Sequence, residues 1–243
     1  AFKIPLSSRY SQGKAIVNFV ELQPEEQLVD VTNVSEFDGE RYLIFASKNG
    51  IVKKTKLDKF DNIRRNGIIC MKVREDDQLV CAKLCESDSH ILIATKKGYA
   101  IHFMSDELRE TGRNTMGVNG IDLREGDEVV DLIVGDISNQ VLSITKEGYG
   151  KRTPLEKYRL THRAGKGVIN VKLRNDTDEV ISCRPLGQNM TVVLASKNGV
   201  IIRFHSSDIR STGRATQGVI VMRLDNDEVT GVAITEPAEE DEV

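Results

Sequence analysis

The chain of 243 residues contains no tryptophan, and aromatic residues make up only 5% of it. A surface that stacks the bases of single-stranded nucleic acid needs aromatic rings interleaved with cations, and no such spacing occurs. The four cysteines (Cys70, Cys81, Cys85 and Cys183) show no CxxC spacing, so they read as reduced thiols rather than as a metal centre or a disulfide framework. The four histidines are scattered without a partnering carboxylate motif, which leaves no metal site to propose. No signal peptide and no apolar run of 18 residues is found, so the expectation is a soluble cytoplasmic protein with no membrane partner. G-x-S-x-G, P-loop and paired-carboxylate motifs are missing too, and with them the usual nucleophilic, phosphate-cradling and acid–base sites. No stretch of helical periodicity of useful length appears either, which points to an all-β chain.

What the sequence does contain is itself, several times over. Ala-Ser-Lys-Asn-Gly ends at Gly50 and again at Gly199, and related phrases end at Gly98 and Gly148, giving steps of 48, 50 and 51 residues. Ser47, Thr95, Thr145 and Ser196 stand three residues before these glycines, and Lys48, Lys96, Lys146 and Lys197 two before. Each phrase joins two β-branched apolar runs, the pattern of a hairpin, with X-Gly expected at the centre of a type I′ turn. A second landmark follows, Arg-x-x-x-Gly, at Arg113–Gly117, Arg163–Gly167 and Arg214–Gly218, with Arg64 and Arg65 before Gly67 in the first copy. A third strand comes next, then an acidic turn (Asp76-Asp77, Asp127-Glu128, Asp178-Glu179, Asp227-Glu228), then a fourth strand. A catalytic pair would not be copied four times, so the acidic pairs read as turn chemistry.

Four strands in roughly 50 residues, repeated, predict a propeller-like disc of four-stranded blades. The expected division is one domain over 1–235, with a partial first blade at 1–34, repeats at about 41–85, 90–134, 140–186 and 190–234, and an acidic tail at 236–243.

Net charge is −3, yet the last eight residues hold five acids, and without them the body is at +2. The tail reads either as a solubilising end or as a mobile competitor for a basic surface. Basic residues recur at fixed repeat positions: Lys54, His102, Arg152 and Arg203 stand four residues past each turn glycine, with Lys53 and Lys151 just before two of them. Equivalent positions in a repeat array form an arc, so the candidate surface for a long polyanion comprises Lys53, Lys54, Arg64, Arg65, Arg113, Lys151, Arg152, Arg163, Lys166, Arg203 and Arg214. The competing reading of the arginine landmark is a turn whose guanidinium bonds nearby carbonyls. For the turn lysines it is an edge that discourages aggregation.

"GYGKRTPLEKYRLTHRAGKGVINVK" (Gly148 to Lys172), "RYLIFASKNGIVKKTKLDKFDNIRRNGI" (Arg41 to Ile68) and "GRNTMGV" (Gly112 to Val118) resemble the C-terminal domain of the DNA gyrase A protein. The resemblance implies a β-pinwheel in which neighbouring blades exchange a hairpin and duplex DNA runs around a basic rim. It also implies a holoenzyme of two A and two B subunits, an ATP-hydrolysing type II topoisomerase that adds negative supercoils on the bacterial chromosome. The cleaving tyrosine, the Mg-binding acids and the ATP site would lie outside this region, leaving it with no catalytic residue and no cofactor, as a monomeric fragment. The family's box, Q-R-R-G-G-K-G, is absent; "THRAGKG" at Thr161 to Gly167 keeps Arg163 and Lys166 of it, so binding and bending with poor wrapping is the expectation. The C-terminal domain of the topoisomerase IV A protein is the nearest alternative. A protein-interaction propeller is the rival of another class, although Trp-Asp signatures are excluded by the lack of tryptophan.

Overall fold

The computed structural model describes residues 14–15, 18–19, 22, 25–62 and 67–237. Most of the expected half-blade at 1–34 and of the acidic tail at 236–243 lies outside these residues, as do Arg64 and Arg65. Fifteen strands fill the rest: β1 (Tyr42–Ser47), β2 (Ile51–Lys56), β3 (Leu79–Cys85), β4 (His90–Thr95), β5 (Tyr99–Met104), β6 (Val118–Asn119), β7 (Val129–Gly135), β8 (Gln140–Thr145), β9 (Tyr149–Pro154), β10 (Val168–Ile169), β11 (Val180–Leu186), β12 (Thr191–Ser196), β13 (Ile201–His205), β14 (Val219–Ile220) and β15 (Val229–Thr235).

They form four antiparallel sheets, ordered β3-β1-β2-β6, β10-β5-β4-β7, β11-β8-β9-β14 and β13-β12-β15. Three strands of each blade come from one repeat, and the outermost comes from the next: β6 pairs with β2, β10 with β5 and β14 with β9. The repeat of the sequence is therefore out of phase with the blade, and this exchange carries the pinwheel character. The last blade has three strands among the described residues, and there Val200 and Ile201 are exposed. "GIICMKV", the expected third strand of the first full repeat, forms no strand, and Ile69 within it is exposed.

Side chains alternate across each strand, so both faces of an inner strand meet a neighbouring blade. On β4, Ile91 and Ile93 join one apolar cluster with Ile44, Val52 and Phe103, while Leu92 and Ala94 join the next with Val141 and Val180. A third cluster seals the last junction around Leu142, Ile144, Val192 and Leu194. The strands β3, β7, β11 and β15 surround a polar channel of about 300 Å³, where Lys83 pairs with Asp30 at 2.8 Å and Arg184 with Asp131 at 3.3 Å.

The hairpin turns differ from the expected type. In each, the glycine N–H bonds the carbonyl three residues back, and among loop residues only the glycine takes positive φ (Gly50 86°, Gly98 82°, Gly148 82°, Gly199 86°). The glycine thus closes a three-residue loop from its last position, and the residue before it keeps an ordinary φ. That is why Lys, Glu and Asn are interchangeable there.

The acidic turns brace these loops. Asp77, Asp127, Asp178 and Asp227 accept the backbone N–H of Asn49, Lys97, Glu147 and Asn198, and the Thr95 hydroxyl donates to Asp127 at 2.7 Å. The turn lysines are spent on neighbouring acids: Lys48 and Lys96 both meet Glu128, Lys96 also meets Glu179, and Lys146 and Lys197 share Glu228. Lys48 and Lys96 hold the Glu128 carboxyl below its usual range. This belt of alternating charge ties blade to blade and leaves little positive charge to offer.

Candidate nucleic-acid interface

Lys53 and Lys54 of β2 and Lys151 of β9 lie in inner strands, covered on both faces, and this overturns part of the expected surface. Lys53 and Lys151 are each 1% exposed and Lys54 is 6% exposed. The Lys151 ammonium donates to the carbonyls of Asn170, Gly213 and Arg214, and that of Lys53 to the carbonyls of Cys70 and Arg113. Burial pushes both ammonium groups down to about 8. These lysines pin the arginine loop of the next repeat onto the blade from inside, and no external phosphate can reach them.

The second repeat solves the same problem without a lysine. Ile101 takes the equivalent position, and the Gly120 carbonyl, matching those of Cys70 and Asn170, accepts the Ala164 N–H at 2.7 Å. Ala164 turns to φ 63° to do so, while the matching Asn114 and Ala215 keep negative φ. One carbonyl is satisfied in two ways, by a buried cation or by a left-handed residue.

The position four past the turn glycine faces the next blade rather than solvent. Lys54 donates to the Ser105 carbonyl at 3.0 Å and lies over the Tyr42 ring. His102 Nδ1 bonds the Tyr158 carbonyl and its Nε2 meets His90 Nδ1, both at 2.8 Å. Arg152 is half-buried, with its Nε enclosed and unpartnered among the described residues. Only Arg203, on the last blade, is exposed.

Burial lowers the pKa of His102, and neighbouring His90 adds to this. Between that lowered value and about 6.5 the unfolded chain binds a proton that the folded chain does not, so stability falls as pH drops through this window. His102→Gln should flatten the acid limb of a urea-denaturation profile between about pH 7 and 5; an unchanged limb would remove His102 as its source.

The arginine landmark is where cations meet solvent. Arg113, Arg163 and Arg214 are half-exposed on the outer edges of successive blades, and Lys166 is exposed, pairing with Asp122 at 2.9 Å. Arg163 donates to the Asn119 carbonyl at 2.9 Å, and Arg214 to those of Ile169 and Lys157 at 2.7 and 2.8 Å. The carbonyl-bonding reading therefore holds for Arg163 and Arg214, whose guanidinium groups staple outer strands yet keep donors that face water. Arg113 has no side-chain partner among the described residues.

Sequence reasoning missed one further feature. Ser143, Asn170, Tyr158 and Cys183 form a buried polar cluster from a single repeat, where the other repeats have apolar residues such as Ile93 and Leu132. The Tyr158 hydroxyl donates to Asn170 at 2.6 Å, and burial pushes the Cys183 thiol up to about 12. The cluster is sealed and satisfies itself. The signal was present as polar residues at aligned core positions. Among the described residues, no three His, Cys, Asp or Glu side chains converge as a metal site, and no helix is long and apolar enough to cross a membrane.

The sequence model of the family described as DNA gyrase C-terminal domain, beta-propeller, matches residues 2–35, 41–85, 89–136, 139–186 and 191–236. The DNA gyrase A protein of Halalkalibacterium halodurans is 45% identical over 242 residues, covering 100% of this chain and 29% of that protein. The corresponding protein of Clostridium acetobutylicum is 39% identical over 228 residues, covering 94% and 28%. The chain thus spans under a third of these relatives. A crystal structure of the C-terminal domain of DNA topoisomerase IV superimposes with a TM-score of 0.84 at 24% identity, over 92% of this chain and 71% of that one. The DNA gyrase A C-terminal domain gives 0.83 at 25% identity, over 91% and 75%. Strand exchange, the loops that recur from blade to blade and the five matched segments agree: the chain belongs to the DNA gyrase C-terminal domain, beta-propeller family.

Proposed function

We propose that this chain binds duplex DNA without sequence preference and bends it along the outer edges of its blades, as the wrapping domain of a gyrase A protein. The observation that carries the reading is the Arg-x-x-x-Gly loop, which puts a cation in the same place on consecutive outer edges. In the assembled enzyme, two such A proteins with two B proteins would use ATP and Mg held elsewhere, in the cytoplasm on the chromosome, and the wrap would present a crossing for strand passage.

The physical demands are modest. Contacts to phosphates give affinity without sequence information and make it fall with salt, by a log–log slope of about 0.9 per phosphate neutralised. Bending a site of about 25 base pairs costs on the order of 1 to 6 kcal/mol, which several arginine contacts offset.

The test is binding to a random duplex from about 50 to 200 mM salt, together with ligation of nicked circles. Salt-steep binding and a shifted linking number are expected, and Arg113→Ala should weaken binding on every sequence and shallow the slope by about one. Binding without a linking-number shift would reduce the reading to binding and bending. Absence of binding at low salt would defeat it.

A further inference from the structure

The arginine landmark has a second arginine four residues upstream in three successive repeats. Arg109-x-Thr111-x-Arg113, Arg159-x-Thr161-x-Arg163 and Arg210-x-Thr212-x-Arg214 share one spelling. In each, the chain crosses here from its own blade to the preceding one. The residue after the upstream arginine bridges the earlier blade (Glu110 to Lys54, Leu160 to His102, Ser211 to Arg152). The threonine N–H then bonds the same carbonyls, at 3.0, 2.9 and 2.9 Å. On the other side, a buried residue closes the short turn: Leu108, Tyr158 or Ile209. Backbone position is therefore fixed on both sides of an arginine at each of three blade junctions.

The side chains are not fixed. Arg109, Arg159 and Arg210 are all exposed, and none has a hydrogen bond, ion pair or ring contact among the described residues. Nearby acids are engaged otherwise: Glu107 accepts from His162 and the Arg163 N–H, Glu110 pairs with Lys56, Glu156 with Lys157, and Asp208 accepts the His205 N–H. Arg124 is committed to the Tyr99 ring and Arg174 to the Tyr149 hydroxyl, while Arg74, Arg203 and Arg223 are exposed without a side-chain partner among the described residues but stand outside this repeated spelling. A free guanidinium on a rigid stem, repeated at one angular step, matches a partner whose negative charges recur along a curved line.

We propose that Arg109, Arg159 and Arg210 form an arc of phosphate contacts, one per blade junction, that engages the phosphodiester backbone of a single bent duplex. This rests on the DNA-binding reading above and assigns to it three exposed cations. The first full repeat departs from the pattern: exposed Asp61, following buried Phe60, replaces the arginine and interrupts the arc.

The test compares the chain, the triple variant Arg109→Ala/Arg159→Ala/Arg210→Ala and Asp61→Arg on one random duplex across the same salt range. The triple variant should keep its thermal transition, since no contact is removed, lose about 30-fold in affinity and shallow the slope by about three. Asp61→Arg should bind more tightly and steepen the slope by about one. If the unaltered chain binds steeply with salt while the triple variant keeps its affinity and slope, the arc is wrong and the DNA-binding reading stands. If the unaltered chain does not bind, that reading falls and the arc falls with it.

Discussion

Lys151→Met should lower the stability of the chain by about 3 kcal/mol at neutral pH, because one buried carbonyl (Asn170) and two part-buried ones (Gly213 and Arg214) lose their donor at once. The change also relieves the cost of a buried charge, but methionine cannot donate, and carbonyls left without a donor at about 1–3 kcal/mol each outweigh that relief. The pH profile separates the two effects. With the native ammonium at about 8 and the usual lysine value at 10.5, both states are protonated below pH 8 and the folded chain bears the full cost of burial. From about pH 8 to 10.5 the unfolded chain still holds a proton that the native chain has lost, so stability rises with pH by up to about 3 kcal/mol. Guanidinium denaturation across that range should show the rise in the parent and a flatter profile in Lys151→Met. A profile equally steep in both would mean that Lys151 stays charged throughout. Adding Ala215→Gly should recover part of the loss, since it frees that loop to use the left-handed turn found at Ala164.

Gly167→Ala is expected to cost roughly 3 kcal/mol, from two independent faults. Gly167 holds φ at 66°, where a side chain is strained, and a Cβ there would stand 2.5 Å from the Ala100 carbonyl oxygen of the preceding blade. Backbone cannot yield as a flexible side chain would, so β10 must lift from β5, and hydrogen exchange should rise first at Tyr99 and Ala100. Gly112→Ala is the control: nothing lies within 4 Å of its Cβ and its φ is ordinary, so a change within about 0.5 kcal/mol is expected. Equal changes in the two variants would mean that neither the positive φ of Gly167 nor the approach of the Ala100 carbonyl limits stability.

Glycine spacing and β-branched apolar runs made the blades legible, because hairpin loops and buried strands impose short, local rules. The acidic turns were read as turn chemistry for the same reason, and Asp77 and Asp127 do hold the loops of their own repeats. Which sheet a strand joins is not local, and "GVNGIDL" carries no mark showing that Val118 pairs with Val52. The cations were misjudged by the same route. A lysine at Lys53 or Lys151 resembles a surface residue in sequence, and only the inner position of its strand, with carbonyls of the next repeat above it, makes it a staple. Arg109, Arg159 and Arg210 stand in plain view in the shared Arg-x-Thr-x-Arg spelling, but a landmark defined by its glycine selects the second arginine of each.

Strand exchange also sets an order of events during synthesis. Val52 finds its outer partner only when Val118 has emerged, about 65 residues later, which at ordinary translation speeds of about 5 to 20 residues per second is a wait of roughly 3 to 13 seconds. Each blade therefore leaves the ribosome with one edge open, and the repeat being made behind it serves as that edge's cover. A ribosome that stalls within a repeat would strand the preceding blade unfinished, so the even spacing of the copies also meters how long any sticky edge is left in the open.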